Sequence, residues 1–249
     1  MTSNLSPGSA EWVLAFADDE HMIGARHAAW IGLGPFLEED LAFCSIAQDE
    51  LGHAIALYDY VTDDLDRFAL LRDPSAYRSA WLCELPCDHW DQALVRHWLY
   101  DQAEALRWEA VAGSSVDALR DLAARAEREE RFHRDHAELY LRRISEGHQD
   151  GRDRIEAAVD ALLPFACGLW EPVAGEPEAL ADGVVTLGSE ALAEQWTTAI
   201  QSELSAWGYE IEWPEAVIGQ DQRRARSVEF AALQASLQEV ISIDPDATW

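Results

Sequence analysis

Two short segments carry the residues best suited to chemistry, Glu50-Leu51-Gly52-His53 and Glu130-Arg131-Phe132-His133. Residues three apart on a helix lie on one face, so a Glu and a His at this spacing can grip one metal ion together. Two-metal carboxylate bundles use one such pair on each of two helices, plus one acid from each of the other two. With 25 Glu and eight His in the chain, about one such pair is expected by chance, so spacing alone is a weak signal. Setting strengthens it. The first pair lies on a face reading Phe43, Ile46, Ala47, Glu50, His53, Ala54 and Leu57. The second lies on a face reading Leu119, Leu122, Ala123, Ala126, Glu130, His133, Ala137 and Leu141. Both pairs interrupt apolar stripes, and an uncompensated buried carboxylate costs several kcal/mol. Metal coordination accounts for both, and the small neighbours Ala47, Ala54, Ala126 and Ala137 leave room for ions.

The partner helices supply one acid each. Glu20 shares a face with Val13, Phe16, Ala17, Ile23 and His27. Asp101 shares a face with Leu94, Trp98, Ala105 and Trp108. Glu20 precedes Glu50 by 30 residues and Asp101 precedes Glu130 by 29, so each half reads as an acid, an antiparallel hairpin and an E-x-x-H. Glu104, one turn beyond Asp101, is the rival in that helix. Satisfied core polar groups on acidic helices remain the alternative for either pair alone; two pairs with acid mates at matched spacing weaken it. His136 reads as an outer or exposed residue, and Asp49 as an outer acceptor that could orient His133. His21, His89, His97 and His148 have no partner pattern, and the eleven Trp read as packing. No catalytic residue beyond the metal ligands is identified.

The elements that must hold these residues are helical, since apolar residues recur at helical spacing and strand alternation is scarce. Helices are expected over Ser9 to Ile31, Phe36 to Thr62, Trp90 to Ala112 and Val116 to Glu146, the last capped by Ser115 and stopped by Gly147. Asp63 to Pro86 reads as a mixed connection with a short helix near Ser75–Trp81. Further helices are expected over Asp153 to Trp170, kinked at Pro164, over Ser189 to Trp207, and over Gln222 to Ile241. Glu171 to Gly188 reads as loop. The fold class is all-α, a ferritin-like four-helix bundle with additional C-terminal helices. It forms a single domain over residues 1–249, with a flexible start over 1–10, a metal-binding core over 11–147 and the added helices over 148–249.

Composition bounds the function. The chain carries 47 acidic residues against 18 basic ones, a net charge of -29, and every basic residue is Arg. That balance argues against binding nucleic acid, which needs clustered cations. It suits either a basic partner or, on the reading favoured by the even spread of the acids, surface hydration in high salt. The first ten residues lack the features of a signal peptide, and no apolar run approaches the ~20 residues of a membrane span. A cytoplasmic protein without membrane contact is expected. Cys44, Cys83, Cys87 and Cys167 show no zinc-type spacing and read as structural thiols.

The two ligand segments, Gln48-Asp49-Glu50-Leu51-Gly52-His53 and Glu129-Glu130-Arg131-Phe132-His133, resemble those of the catalytic A subunit of bacterial phenylacetyl-CoA epoxidases. Trp98-Leu99-Tyr100-Asp101 matches the W-L-x-D segment of that subunit and favours Asp101 over Glu104 as the ligand. Chain length and the region from Leu187 to Pro214, with Leu192, Trp196, Trp213-Pro214 and a terminal Trp249, resemble the C subunit of the same family. That second resemblance is diffuse but covers nearly the whole chain.

The resemblance implies a subunit of a multicomponent monooxygenase of phenylacetate catabolism. Two iron ions, bridged by Glu50 and Glu130 and held terminally by Glu20, His53, Asp101 and His133, would activate O₂ to epoxidise the ring of a CoA thioester. Electrons would come from a separate flavin/iron–sulfur reductase, because this chain has neither a nucleotide-binding glycine loop nor cluster-type cysteines. Partners would be a homologous ferritin-like subunit or further copies of this chain, and the reductase. The likeness to the C subunit implies an alternative, a non-catalytic scaffold docked on a catalytic homologue. This sequence departs from that pattern by keeping all six candidate ligands. A third reading is a stand-alone two-iron oxidase of another substrate.

Overall fold

The computed structural model describes residues 5–219 and 221–244. Its helices are α1 (Pro7–Ala28), α2 (Leu37–Tyr58), α3 (Leu65–Leu71), α4 (Trp81–Glu84), α5 (Trp90–Ala112), α6 (Asp117–Ser145), α7 (Gln149–Cys167), α8 (Glu176–Ala181), α9 (Ser189–Ala206) and α10 (Phe230–Leu237). Short 3₁₀ turns lie at Pro74–Ala76 and Gly168–Trp170. The fold is all-α, with no strand among the described residues, as a ferritin-like bundle requires. No described helix is long and apolar enough to cross a membrane.

The chain divides into two compact units, each organised around one long helical hairpin. The first takes Met1–Pro86, Val173–Glu178 and Gly219–Trp249; the second takes Cys87–Pro172 and Ala179–Ile218. The similarity between the first and second helix pairs noted in the sequence therefore falls one pair to each unit.

In the first unit, α1 packs along α2, with α4 against α1 and α3 against α2. Its core holds Val13, Phe16, Met22, Ile23, Phe43, Ile46 and Leu57, all essentially without solvent contact. Burial extends to the adjacent acids Asp18 and Asp19, and each is compensated. Asp18 accepts from Tyr58 Oη at 2.5 Å and from the Arg78 backbone N–H at 2.7 Å, and pairs with the Arg72 guanidinium. Asp19 accepts from Ala80 N at 2.6 Å and from Arg223 Nη1 at 2.8 Å. Glu84 is treated alike, by Arg226 Nη1 at 2.5 Å and Ser227 N at 2.7 Å. Together these bonds tie residues 223–227 to α1 and α4.

In the second unit, α5 is the central element, packed on α6, α7 and α9. It buries Leu94, Val95, Trp98, Leu99 and Trp108. Trp98 Nε1 donates to Glu203 Oε2 of α9 at 2.7 Å, and Trp196 Nε1 of α9 donates to Leu99 O at 3.1 Å. Helix α6 shows the amphipathic pattern plainly: Leu119, Leu122, Ala126, Ala137 and Leu141 face inward, while Arg125, Arg128 and Arg131 face water.

Several local expectations are corrected. Helix α1 begins at Pro7, inside the stretch read as a flexible start, because Ser6 Oγ caps it by accepting from Ser9 N at 3.3 Å and Pro7 is pre-set for the first turn. Ser115 is not the cap of α6. Its hydroxyl donates to Asp182 O, and the N-cap residue of α6 is Val116, with no side-chain cap. The loop expected over 171–188 contains α8, and α3 lies in the expected mixed connection. The last helix begins at Phe230 and not at Gln222. Asp221, Gln222 and Arg223 adopt left-handed backbone, with φ of 50°, 57° and 65°, which no right-handed helix tolerates. The buried pair of Arg223 with Asp19 fixes that conformation. Trp249, which contributed to the likeness to the C subunit, lies outside the described residues.

Candidate metal centre

The second hairpin brings four buried ligand groups together. Asp101 and Glu104 lie one turn apart on α5, and Glu130 and His133 one turn apart on α6. One ligand atom from each lies within 4.8 Å of all the others, and none of the four side chains is more than 1% exposed. Each position follows from helix geometry: the i, i+3 spacing turns both members of a pair to one face, and the neighbouring Leu and Trp residues turn that face inward. The sequence posed Asp101 and Glu104 as rivals, but the fold places both in the group.

The surroundings hold these groups in place. Trp108 Nε1 donates to Glu104 Oε1 at 2.9 Å. His133 Nδ1 lies 3.2 Å from Glu130 Oε1. His97, one turn before Asp101 on α5, puts Nδ1 2.9 Å from Asp101 Oδ2. Its ring also packs near those of His133 and His136, with centroids 6.3 Å and 5.5 Å away. His97 and His136 thus stand closer to the site than the sequence suggests. The available signal is the i, i+4 spacing of His97 and Asp101.

The electrostatics favour a cation. Burial above all, and then the charge of Glu104, push Asp101 well above the usual carboxylate range, against the opposing pull of His133 and Arg134. Burial, His133 and Arg96 hold His97 well below the usual imidazole value, with Glu104 opposing. Despite the nearness of His97, neither oxygen of Asp101 accepts a hydrogen bond among the described residues. Three carboxyl groups at this separation cannot all stay ionised in a dry interior unless a cation joins them. An oxygen-rich set with one imidazole suits a divalent metal such as Fe(II) or Mn(II). The residues therefore fit the ion that the sequence implied.

The first hairpin carries its own three predicted residues, Glu20 on α1 and Glu50 and His53 on α2, all buried. His53 Nδ1 lies 3.3 Å from Glu20 Oε2. Glu50 is held by a residue that the sequence placed only on the apolar stripe of α1: His27 Nδ1 sits 2.9 Å and 2.8 Å from its two carboxylate oxygens. Phe43 packs edge-on against the His27 ring at 5.3 Å. Each hairpin thus adds a His on its first helix to the acid and the E-x-x-H. Asp49, read as an outer acceptor for His133, belongs to the first unit, while His133 belongs to the second.

A pocket of about 490 Å³ reaches this group within the second unit. Trp108, Ala123 and Glu130 lie at its buried end, and Glu109, Ala112 and Glu127 at its exposed rim.

A family model described as phenylacetic acid catabolic protein matches residues 1–249. The C subunit of the 1,2-phenylacetyl-CoA epoxidase of Escherichia coli (strain K12) is 21% identical over 244 residues, covering 96% of this chain and 98% of that protein.

Proposed function

The chain belongs to the phenylacetic acid catabolic protein family, and from that premise we propose that it is a two-iron carboxylate subunit of a monooxygenase that epoxidises the aromatic ring of phenylacetyl-CoA. The observation that carries this reading is the buried grouping of Asp101, Glu104, Glu130 and His133. The proposed ligands are one acid and one E-x-x-H from each hairpin, Glu20 with Glu50 and His53, and Asp101 with Glu130 and His133. Glu104 is a further ligand in the second set.

When bound, the irons supply redox capacity for reducing O₂. The overall reaction transfers one oxygen atom to the ring and releases the other as water, taking up two protons and two electrons from an external flavin/iron–sulfur reductase. The chain's own contribution is position and dryness. The i, i+3 spacing aims each Glu and His together, Trp108 fixes one oxygen of Glu104 by its N–H, and His27 fixes the carboxylate of Glu50. Leucine and tryptophan walls keep water from the charged groups, which strengthens their hold on a cation.

A second reading is favoured by the likeness to an epoxidase's C subunit over nearly the full length of both chains. On that reading the chain is a non-catalytic component docked on a catalytic homologue, and its ligand sets hold a structural metal or none. Turnover separates the two readings. Iron-loaded protein with a family reductase, NADPH, O₂ and phenylacetyl-CoA should yield the ring epoxide if the chain is catalytic. Absence of product with this chain alone, and its appearance only when a catalytic homologue is added, would overturn the first reading in favour of the second.

A further inference from the structure

We propose that residues 221–227 form a latch that sets the position of Glu20, so that closure of the latch and occupation of the first hairpin's ligand set strengthen each other. Arg223 is the positioning residue. The inference rests on the proposed role of Glu20 as a metal ligand and adds to it a control that lies outside the ligand set.

The first observation is the row Asp18-Asp19-Glu20 on α1, three consecutive acids without solvent exposure. Successive helical residues point about 100° apart, so the three carboxylates leave α1 in three directions. Glu20 meets His53 Nδ1 at 3.3 Å. Asp18 meets Tyr58 Oη, the Arg72 guanidinium and Arg78 N. Asp19 meets Ala80 N and Arg223 Nη1. A helix held from three sides at one turn can neither rotate nor slide there without breaking a buried bond. Glu20 is therefore aimed by its two neighbours as well as by His53.

The second is where those neighbours are anchored. Arg223 lies 204 residues beyond Asp19. Gln234 Nε2 of α10 donates to Arg72 O at 2.9 Å, which steadies the cation that Asp18 holds. Both neighbours of Glu20 are thus braced by the segment after Gly219, whereas the ligands themselves come from α1 and α2.

The third is that the latch closes against its own backbone. Asp221, Gln222 and Arg223 are all left-handed, a conformation that costs free energy at any residue but glycine. Asp221, Gln222 and Arg224 are exposed. The grip comes from Arg223 on Asp19, from Arg226 and Ser227 N on Glu84, and from Trp81 Nε1, which donates to Ala225 O at 3.0 Å. Arg224 adds only a half-exposed pair with Glu11 at 3.8 Å. A strained segment held by a few buried bonds opens locally while the rest of its unit stays folded. A metal held by Glu20 favours the closed state, and the closed state favours the metal by the same factor.

The test uses the full chain with Glu130→Ala, so that the first hairpin's set is read alone, metal-free and loaded with Co(II) under anaerobic conditions. Tryptic cleavage at Arg224 is followed by mass spectrometry. Co(II) should slow this cleavage about tenfold, and Glu20→Gln should remove the protection. Gln222→Gly, which relieves the left-handed strain at an exposed position, should slow cleavage of the metal-free chain about fivefold. Arg223→Met should weaken Co(II) about tenfold and alter its visible absorption, and Arg223→Lys should restore both. In Arg223→Met with Asp19→Asn neither charge is left buried alone, so this pair folds even where the single variant does not. It should bind Co(II) with no effect on cleavage, which separates positioning from stability. Cleavage that bound Co(II) leaves unchanged, protection that survives Glu20→Gln or the double variant, or Arg223→Met with the parent's affinity and absorption would overturn the proposal. A chain that takes up no Co(II) would overturn the ligand reading with it, so the two failures are told apart.

Discussion

Trp108 and Glu104, one turn apart on α5, are joined by an indole N–H that donates to Glu104 Oε1 at 2.9 Å. The bond links the wall of the apolar pocket to a carboxylate of the metal-binding group. It takes up one oxygen of Glu104 and leaves the other directed by the same constraint, which is how an outer residue sets the geometry of a ligand. Trp108→Phe keeps a ring in the wall and removes only the donor. Its affinity for Fe(II) or Co(II), measured by anaerobic titration, should fall about 10- to 100-fold, with the helical circular dichroism retained. An unchanged affinity would show that Glu104 is not a ligand.

Residues 223–227 are held to α1 and α4 by the buried pairs Arg223–Asp19 and Arg226–Glu84. Breaking one partner of such a pair leaves a buried charge alone and costs about 3–5 kcal/mol. Arg223→Met should therefore lower the urea midpoint strongly and expose the segment after Gly219 to proteolysis. The double variant Arg223→Met with Asp19→Asn should recover much of the loss, since neither charge is then left without its mate. Additive losses in the double variant would contradict this.

The same clasp shows where the sequence is legible and where it is not. The long helices α1, α2, α5 and α6 are readable because their apolar periodicity runs over many turns and ends at Gly or polar breaks. Sequence alone starts the last helix eight residues too early, because Gln222 to Glu229 has good helical composition. What overrides that composition is a pair of buried carboxylates more than 140 residues away in sequence, which no local pattern reports. At the site, the E-x-x-H spacing is visible as such. The role of His27 is not, since a single His on an apolar stripe looks like core until its carboxylate neighbour on another helix is located, and His97 shows only as the i, i+4 neighbour of Asp101. The inclusion of both Asp101 and Glu104 depends on the phase between α5 and α6, which spacing along one helix does not reveal.

Glu203 on α9 accepts from Trp98 Nε1 and Gln102 Nε2. Burial pushes its carboxyl up to about 7; Glu138 adds to the rise, while the Trp98 hydrogen bond and Arg134 oppose it. An acid whose folded value is raised holds its proton more tightly when folded than when unfolded. Its ionisation therefore costs stability, beginning as pH climbs past the unfolded value near 4.5 and complete above about 7. Glu203→Gln removes that titration. The melting temperature of the variant relative to the parent should rise between pH 4.5 and 7 and level off above. A difference that is flat with pH would place the titration elsewhere.

Whether the acid and E-x-x-H of each hairpin hold iron is decided by anaerobic Fe(II) uptake with purified apoprotein. About two irons per chain are expected, with Glu50→Ala and Glu130→Ala each abolishing binding at the altered set. Protein that takes up no Fe(II), or variants that bind as much iron as the parent, would contradict the assignment.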